Sequence, residues 1–340
     1  MNLEERLSAF ISLGEEINGI DKQSLEPLLV RIENNNSWFR EEQSKKALKG
    51  IAHYLSKEQL ENWLNQYDTG LSKAKHVGII MAGNIPGVGF HDLLCVLMAG
   101  HIAHVKLSST DIVLIPFLMD LLVSIAPGFR DKVFFDERLS GMDAYIATGS
   151  DNSARYFEYY FGKYPHIIRK NRTSVAIIDG LEIKSDWGLL AEDVFQYYGL
   201  GCRNVSKIFF PDKAHVGMFL QAMEDYRTKV DHHKYNNNYD YNKSIYLVNK
   251  EPHLDNGFLL LKESEELVSP IAVAYYQIYP DLEWLEDNLR LNRDKIQCIV
   301  SREGWFSGSI PFGAAQCPGV ADYADRVDTM KFLLDLGKYQ

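Results

Sequence analysis

Between His76 and Lys170 short apolar runs alternate with helical stripes, and this alternation restricts the fold more than any other feature of the chain. HVGIIMAGN is an apolar run ending in small residues and reads as a buried strand. IPGVG follows, and then Phe90, Leu93, Leu94, Leu97 and Met98 recur at helical spacing. IAHVKLS predicts a second strand, and DIVLIPFLMDLLVSIAPG a second helix closed by Pro127-Gly128. KVFFD and MDAYIATGS predict two more strands, Asn152 to Phe161 a helix, and HIIRK a fifth strand. Strands alternating with helices need right-handed crossovers and so build a parallel, doubly wound sheet. Ligands of such sheets bind beyond the C-terminal strand ends.

The flanks read differently. The first 70 residues predict helices in an amphipathic layer: Leu3, Leu7, Phe10 and Ile11 share a face, and Ser56 with Gln59 forms a capping box before Leu60, Trp63 and Leu64. From Arg172 onward TSVAIIDG, NVSKIFFP, SIYLVN, GFLLLKE, IAVAYYQIY and IQCIVS predict strands. Helices are expected at Trp187 to Tyr198, Val216 to Tyr226 and Leu282 to Leu291, and YNNNYDYNKS reads as an exposed loop. This half predicts a second α/β domain, for which a chain of 340 residues is long enough.

The charge balance narrows the partners. A net charge of −10 argues against a nucleic-acid footprint, which needs clustered positive charge. MNLEERLSAF has no basic region followed by an apolar stretch, and the run from Ile112 to Ala126 is broken by Pro116 and Asp120, too short for a membrane span. Cys95, Cys202, Cys298 and Cys317 show no CxxC pairing and no disulfide spacing. The expectation is a soluble cytoplasmic protein with reduced thiols.

Four places carry residue types with chemistry. Cys202 lies in YYGLGCRNVSK, where Gly199 and Gly201 permit unusual dihedrals and Arg203 favours the thiolate. On this context alone it reads equally as a nucleophile or as a small buried hydrophobe; Cys317, in FGAAQCPG, is the rival nucleophile, while Cys95 and Cys298 read as core. Asn84, in AGNIPGVG at a strand end, is either a turn residue or an amide donor to an oxyanion. Gly149 and Ser150, in TGSDNSA, open a helix whose N–H groups suit phosphate, although Ser150 or Asp151 also reads as a plain N-cap. His232 and His233 read as a solvated loop; no His, Cys and Glu set has zinc spacing, and neither G-x-S-x-G nor Walker A occurs.

Taken in order, GNIPGVGFHDLLCVLMAG, VKLSSTD, ATGS, YYGLGCRNVSKIFFP, ESEELVSPIAV and PFGAAQCPGVADYADRVDTMKFL resemble the LuxC-like acyl-CoA reductases, a branch of the aldehyde dehydrogenase superfamily. The resemblance runs over most of residues 77–334 and rests on the joint order and spacing of these segments. It implies an aldehyde-dehydrogenase-like α/β fold: helices and a Rossmann-like cofactor domain in 1–170, a second α/β catalytic domain in 171–305, and a segment in 306–340 returning to the first. It further implies that Cys202 is the nucleophile and that Asn84 joins the Cys202 N–H as oxyanion donor. Lys106 matches the lysine of the adenosine ribose, Gly149 and Ser150 lie by the pyrophosphate, and Glu266 takes the nicotinamide ribose unless a shift gives that role to Glu265.

The implied activity is reduction of an acyl-CoA or acyl-carrier-protein thioester to an aldehyde, with a homo-oligomer compatible with it. The alternative is a non-reducing acyl-binding or scaffold subunit. Aldehyde oxidisers carry a glutamate base before the strand that opens the catalytic domain, whereas KNRTSVAII has no carboxylate before Asp179. Relatives selective for NAD often have a carboxylate three residues after the lysine; here that position is Ser109, so NADPH is expected as cofactor, with NADH as the alternative. Asp111 could swing back toward the ribose, and Ser109 also reads as a cap for a helix beginning near Asp111.

Overall fold

A computed structural model describes residues 1–69 and 73–336. The chain folds as two units: Met1–Asn171 together with the chain from Pro318 onward, and Arg172–Cys317.

The first unit opens with four helices, α1 (Leu3–Gly19), α2 (Lys22–Asn35), α3 (Glu41–Tyr54) and α4 (Lys57–Leu64). Asn2 and Glu5 form a reciprocal capping box that starts α1, whose Phe10, Leu13 and Ile17 are buried at helical spacing. Ser56 does stand at the N-cap of α4, but its side chain makes no cap hydrogen bond, so the capping box expected there is not formed. Then come β1 (His76–Ile80), α5 (Phe90–Met98), β2 (Ile102–Lys106), α6 (Leu114–Ile125), β3 (Val133–Phe135), β4 (Ala144–Thr148), α7 (Asp151–Phe161) and β5 (His166–Arg169). The strands are all parallel, in the order β3-β2-β1-β4-β5. The chain leaves β1 toward β2 on one side and later adds β4 on the other, so a topological switch point opens at the C-terminal end of β1. Val77, Ile79, Ala103 and Val105 pack with the apolar side of α5 in one core.

The second unit contains β6 (Thr173–Ile177), α8 (Lys184–Phe195), β7 (Val205–Phe210), α9 (Lys213–Ala222), α10 (His233–Asn249), β8 (Leu254–Asp255), β9 (Leu260–Glu263), β10 (Val273–Ile278), α11 (Leu282–Leu291), β11 (Ile296–Ser301) and β12 (Ile310–Pro311). Its sheet runs β12-β11-β6-β7-β10-β9-β8, parallel except for β8. The expected loop YNNNYDYNKS and strand SIYLVN are instead one helix, α10. Tyr235, Tyr239, Asn242 and Tyr246 are buried along one of its faces, and Asn238 and Asn242 donate back to carbonyls four residues earlier. His232 is not solvated either: it is buried and caps α10 by accepting from the Lys234 N–H.

The helix α12 (Thr329–Asp335) belongs to the first unit, where Met330 and Leu333 enter its core. Polar contacts fix this late segment. Trp63 donates to the Tyr323 hydroxyl at 2.6 Å, and the His91 and His101 rings meet the carbonyls of Val320 and Leu333. Arg169, buried in an ion pair with Asp92, donates its other nitrogen to Thr329 Oγ1 at 2.8 Å. Among the described residues no helix is long and apolar enough to cross a membrane.

Candidate active site

The turn bearing Cys202 is held by its neighbours. After α8 the backbone passes through Tyr197, Tyr198 and Gly199 with φ of 52°, 57° and 79°. Left-handed conformation costs about 1–2 kcal/mol for each non-glycine residue, and here both tyrosines are buried, so packing offsets it. Asn204 closes the turn. Its Nδ2 donates to the carbonyls of Asp193, Val194 and Gln196, and its Oδ1 accepts from the Gly201 N–H at 2.8 Å. One buried carboxamide thus satisfies both the open end of α8 and the turn.

Cys202 is exposed at this turn, and its carbonyl accepts from Ser174 Oγ at 3.1 Å. Ser174 sits where both flanking strands bulge. The pairing jumps from Ser174–Val205 to Val175–Lys207, leaving Ser206 extra, and β11 gains a residue between Ile296 and Ile299. Bulges next to a site re-aim side chains. Ser174 Oγ also lies 3.0 Å from Cys298 Sγ, so Cys298 is a member of this cluster rather than plain core. Burial pushes the thiols of Cys298 and Cys95 up and keeps them protonated, which disfavours either as nucleophile. Cys317 is exposed, and its N–H donates to Ala314. Arg203 donates to the Ala315 carbonyl at 3.5 Å, and its charge acts on Cys298.

Asp193, on α8, was not singled out in the sequence. It is fully buried and accepts from the N–H groups of Gly313 at 2.7 Å and Ala315 at 3.1 Å, tying the PFG segment to the helix that leads into the Cys202 turn. Burial raises its pKa to about 7 against the pull of those two donors. Between the ordinary carboxylate range and pH 7 the folded chain therefore keeps a proton that the unfolded chain has lost, and stability falls as pH rises through that window. The thermal midpoint of the wild type should drop more steeply from pH 5 to 8 than that of Asp193→Asn; parallel curves would show that Asp193 does not titrate there.

Glu265 and Glu266 are exposed on the connection from β9 to β10. That connection is pinned to β7: Ser206 Oγ donates to the Leu267 carbonyl at 2.6 Å, and the Lys207 ammonium donates to the Ser264 carbonyl. The carboxylates nearest in sequence to β6 are held locally. Asp179 pairs with Arg302, and Glu182 accepts from the N–H groups of Asp179 and Gly180.

In the first unit Lys106 ends β2, and Asn84, Ser109, Gly149 and Ser150 follow the C-terminal ends of the adjacent strands β1, β2 and β4. Asn84, Lys106, Ser109 and Ser150 are exposed. Thr110 Oγ1 donates to the Gly83 carbonyl at 2.7 Å, and a Cβ on Gly83 would lie 2.4 Å from that oxygen, so only glycine fits before Asn84. Asp111 does not swing outward. Its carboxylate is 4% exposed and accepts from the Gly87 N–H at 2.8 Å, and burial raises its pKa to about 6. Ser109 is not a helix cap, because α6 begins at Leu114 behind Val113. Ser150 does cap α7, accepting from the Ser153 N–H. Among the described residues no group of His, Cys, Asp or Glu is placed to hold a metal.

No protein-family model and no curated protein matches the chain. Solved structures do. Aldehyde dehydrogenase 21 of Physcomitrella patens, solved with its product succinate, aligns at TM-score 0.70 and 11% identity over 99% of this chain and 84% of its own. An NADP-dependent glyceraldehyde-3-phosphate dehydrogenase of Bacillus halodurans, bound to NADP, aligns at TM-score 0.64 and 11% identity over 88% and 74%. A Mycobacterium tuberculosis aldehyde dehydrogenase with NAD+ aligns at TM-score 0.62 and 13% identity over 88% and 73%. The two sheets of this chain, parallel except for β8, therefore belong to an aldehyde-dehydrogenase-like α/β fold.

Proposed function

We propose that the chain is a nicotinamide-dependent reductase that takes an acyl thioester to an aldehyde through an acyl-enzyme on Cys202. The observation that carries this reading is the exposed Cys202 thiol on a turn fixed by Asn204 and Ser174. Covalent catalysis needs a nucleophile held in one place and open to the carbonyl it attacks.

The residues at the C-terminal strand ends fit a dinucleotide. Lys106 brings an exposed cation, Ser109 and Ser150 bring hydroxyls, and a Cβ at Gly149 would lie 2.9 Å from Phe157 and Ser153. Such a cofactor supplies hydride. The Cys202 thiolate attacks the thioester carbonyl and the carrier leaves as its thiolate. Asn84 is the side chain assigned to donate to the oxyanion. After reduction the hemithioacetal collapses, freeing the aldehyde and restoring the Cys202 thiolate. Asp179 and Glu182, locked to Arg302 and to backbone N–H groups, are poor candidates for activating water, which favours reduction over oxidation to an acid.

Intact-mass spectrometry with a panel of acyl-CoA and acyl-carrier-protein thioesters tests this directly. A single acyl adduct on Cys202 is expected, discharged as aldehyde when NADPH is added. No adduct with any thioester would overturn the proposal, and an adduct that NADPH never discharges would favour the non-reducing acyl-binding alternative.

NADPH is the proposed cofactor in preference to NADH, because Ser109 is neutral and exposed and Asp111 is turned inward against Gly87. Nothing acidic at position 109 then opposes a 2′-phosphate beside Lys106. Catalytic efficiency should favour NADPH in the wild type and shift toward NADH in Ser109→Glu. A variant that still prefers NADPH as strongly as before would remove Ser109 from the 2′-phosphate.

A further inference from the structure

Two cysteines meet at one oxygen, the buried Ser174 Oγ, and all three residues belong to the second unit. A serine hydroxyl carries one hydrogen and two acceptor positions. The hydrogen goes to the Cys202 carbonyl at 3.1 Å. The oxygen accepts the Cys298 N–H at 3.3 Å and lies 3.0 Å from Cys298 Sγ. With the Ser174 hydrogen committed, the Cys298 thiol is the donor in that contact. The Cys298 sulfur and the Cys202 backbone are therefore each one hydrogen bond from the same atom.

The strands are arranged to make this contact. Ile296 pairs with Thr173 and Ile299 with Val175, so Gln297 and Cys298 together oppose Ser174. A bulge of this kind turns a side chain away from the face that strict alternation would give it. Gln297 is buried, whereas Cys298 is left partly exposed next to the turn on which the Cys202 thiol is exposed. Holding Ser174 needs only a donor, which a serine at position 298 would supply equally well. What a thiol adds is oxidation chemistry. The two thiols also differ in reactivity. Burial raises the pKa of Cys298, with Ser174 and Arg203 opposing the rise and a charge on Cys202 adding to it. An oxidant in solution thus meets Cys202 first, while Cys298 stays a protonated thiol behind it.

We propose that Cys298 is a resolving thiol for Cys202: after a peroxide oxidises Cys202 to a sulfenic acid, Cys298 closes a reversible disulfide with it and so guards Cys202 against irreversible oxidation. In the first step the Cys202 thiolate takes one oxygen of hydrogen peroxide, the O–O bond breaks and hydroxide leaves. In the second the Cys298 sulfur displaces the sulfenic oxygen: the S–S bond forms, the S–O bond breaks, and the thiol proton departs with that oxygen as water. The two sulfurs are oxidised and the peroxide is reduced. Neither step involves a thioester or a dinucleotide, so the proposal stands apart from the reductase reading.

The test treats the full chain with hydrogen peroxide, alkylates the remaining thiols after denaturation and maps the peptides by mass spectrometry. Wild type is compared with Cys298→Ser, which keeps a donor to Ser174, and with Cys317→Ser. Wild type and Cys317→Ser should each yield a linked Cys202–Cys298 peptide and regain both thiols in dithiothreitol. Cys298→Ser should form no internal disulfide, give a dimedone adduct on Cys202 and, with more peroxide, a sulfinic acid that dithiothreitol does not reverse. A disulfide from Cys202 to Cys317 or between two chains would overturn the proposal. So would a wild-type Cys202 that resists peroxide, or one that reaches the sulfinic acid as fast as in Cys298→Ser. Should Cys298→Ser not fold, the peptide maps of wild type and Cys317→Ser still decide it. A chain that forms the Cys202–Cys298 disulfide and is acylated by no thioester would keep this proposal and defeat the reductase reading.

Discussion

Cys202→Ala is expected to abolish both acyl-enzyme formation and aldehyde release, a loss on the order of a million-fold where a nucleophile is removed from a covalent mechanism. The fold should not notice. The thiol is exposed, and what holds the turn is backbone and carboxamide: the Cys202 carbonyl on Ser174 Oγ, and the Gly201 N–H on Asn204 Oδ1. Substitution of an exposed residue typically changes stability by no more than about 0.5 kcal/mol. Intact-mass spectrometry and a melting curve on the same sample check both halves. An acyl adduct on Cys317 in the variant, with aldehyde still made, would sink the assignment.

Asn84→Ala is the second large effect. One oxyanion donor is worth roughly a hundred- to a thousand-fold in turnover, because it acts on charge that exists only in the transition state. Asn84 follows β1 at the switch point of the first sheet, and the segment before it is closed by the Thr110 bond to Gly83. The substitution should lower kcat for acylation and leave NADPH affinity near that of the wild type. An unchanged acylation rate would remove Asn84 from the oxyanion. Stopped-flow measurement of acylation separates this from slow release of product.

The parts of the fold that could be read from the sequence are those where apolar residues do the work. Phe90, Leu93, Leu94, Leu97 and Met98 are buried on α5 as their spacing predicts, and Leu282–Leu291 is the helix expected. The failure at α10 has a physical origin. Its buried face is built from Tyr235, Tyr239, Asn242 and Tyr246, residues whose polar ends suit a loop equally well, and Asn is a weak helix former. Only their spacing of four, three and four betrayed a helix, and tyrosine blurred it.

The candidate site could be read from the sequence only as a set of exposed turns. Glycines around Cys202 and small residues at strand ends mark exposed turns, so Cys202, Asn84, Gly149 and Ser150 could be named as candidates. Asn204, Ser174, Asp193 and Lys207 could not, since each matters through a partner distant in sequence. Asn204 answers to carbonyls eight to eleven residues earlier, Asp193 to N–H groups at 313 and 315, and Lys207 to Ser264. No local pattern encodes such pairs. Asp111 is the instructive case: as a letter near Ser109 it looks available to a ribose, and only the Gly87 N–H shows that it is committed inward.

The first unit is made of two stretches of chain, and this imposes an order on synthesis. A ribosome adding about 5–20 residues per second makes Met1–Asn171, then the whole of the Cys202 unit, and only then the segment that completes the first. Throughout that interval the Trp63 indole and Arg169 lack Tyr323 and Thr329, and the apolar surface that Met330 and Leu333 will cover stands open. The first unit thus waits for its last segment while all of Arg172–Cys317 is made. The length of that wait is set by connectivity, because the residues that complete the first core come after the whole of the second unit in the chain.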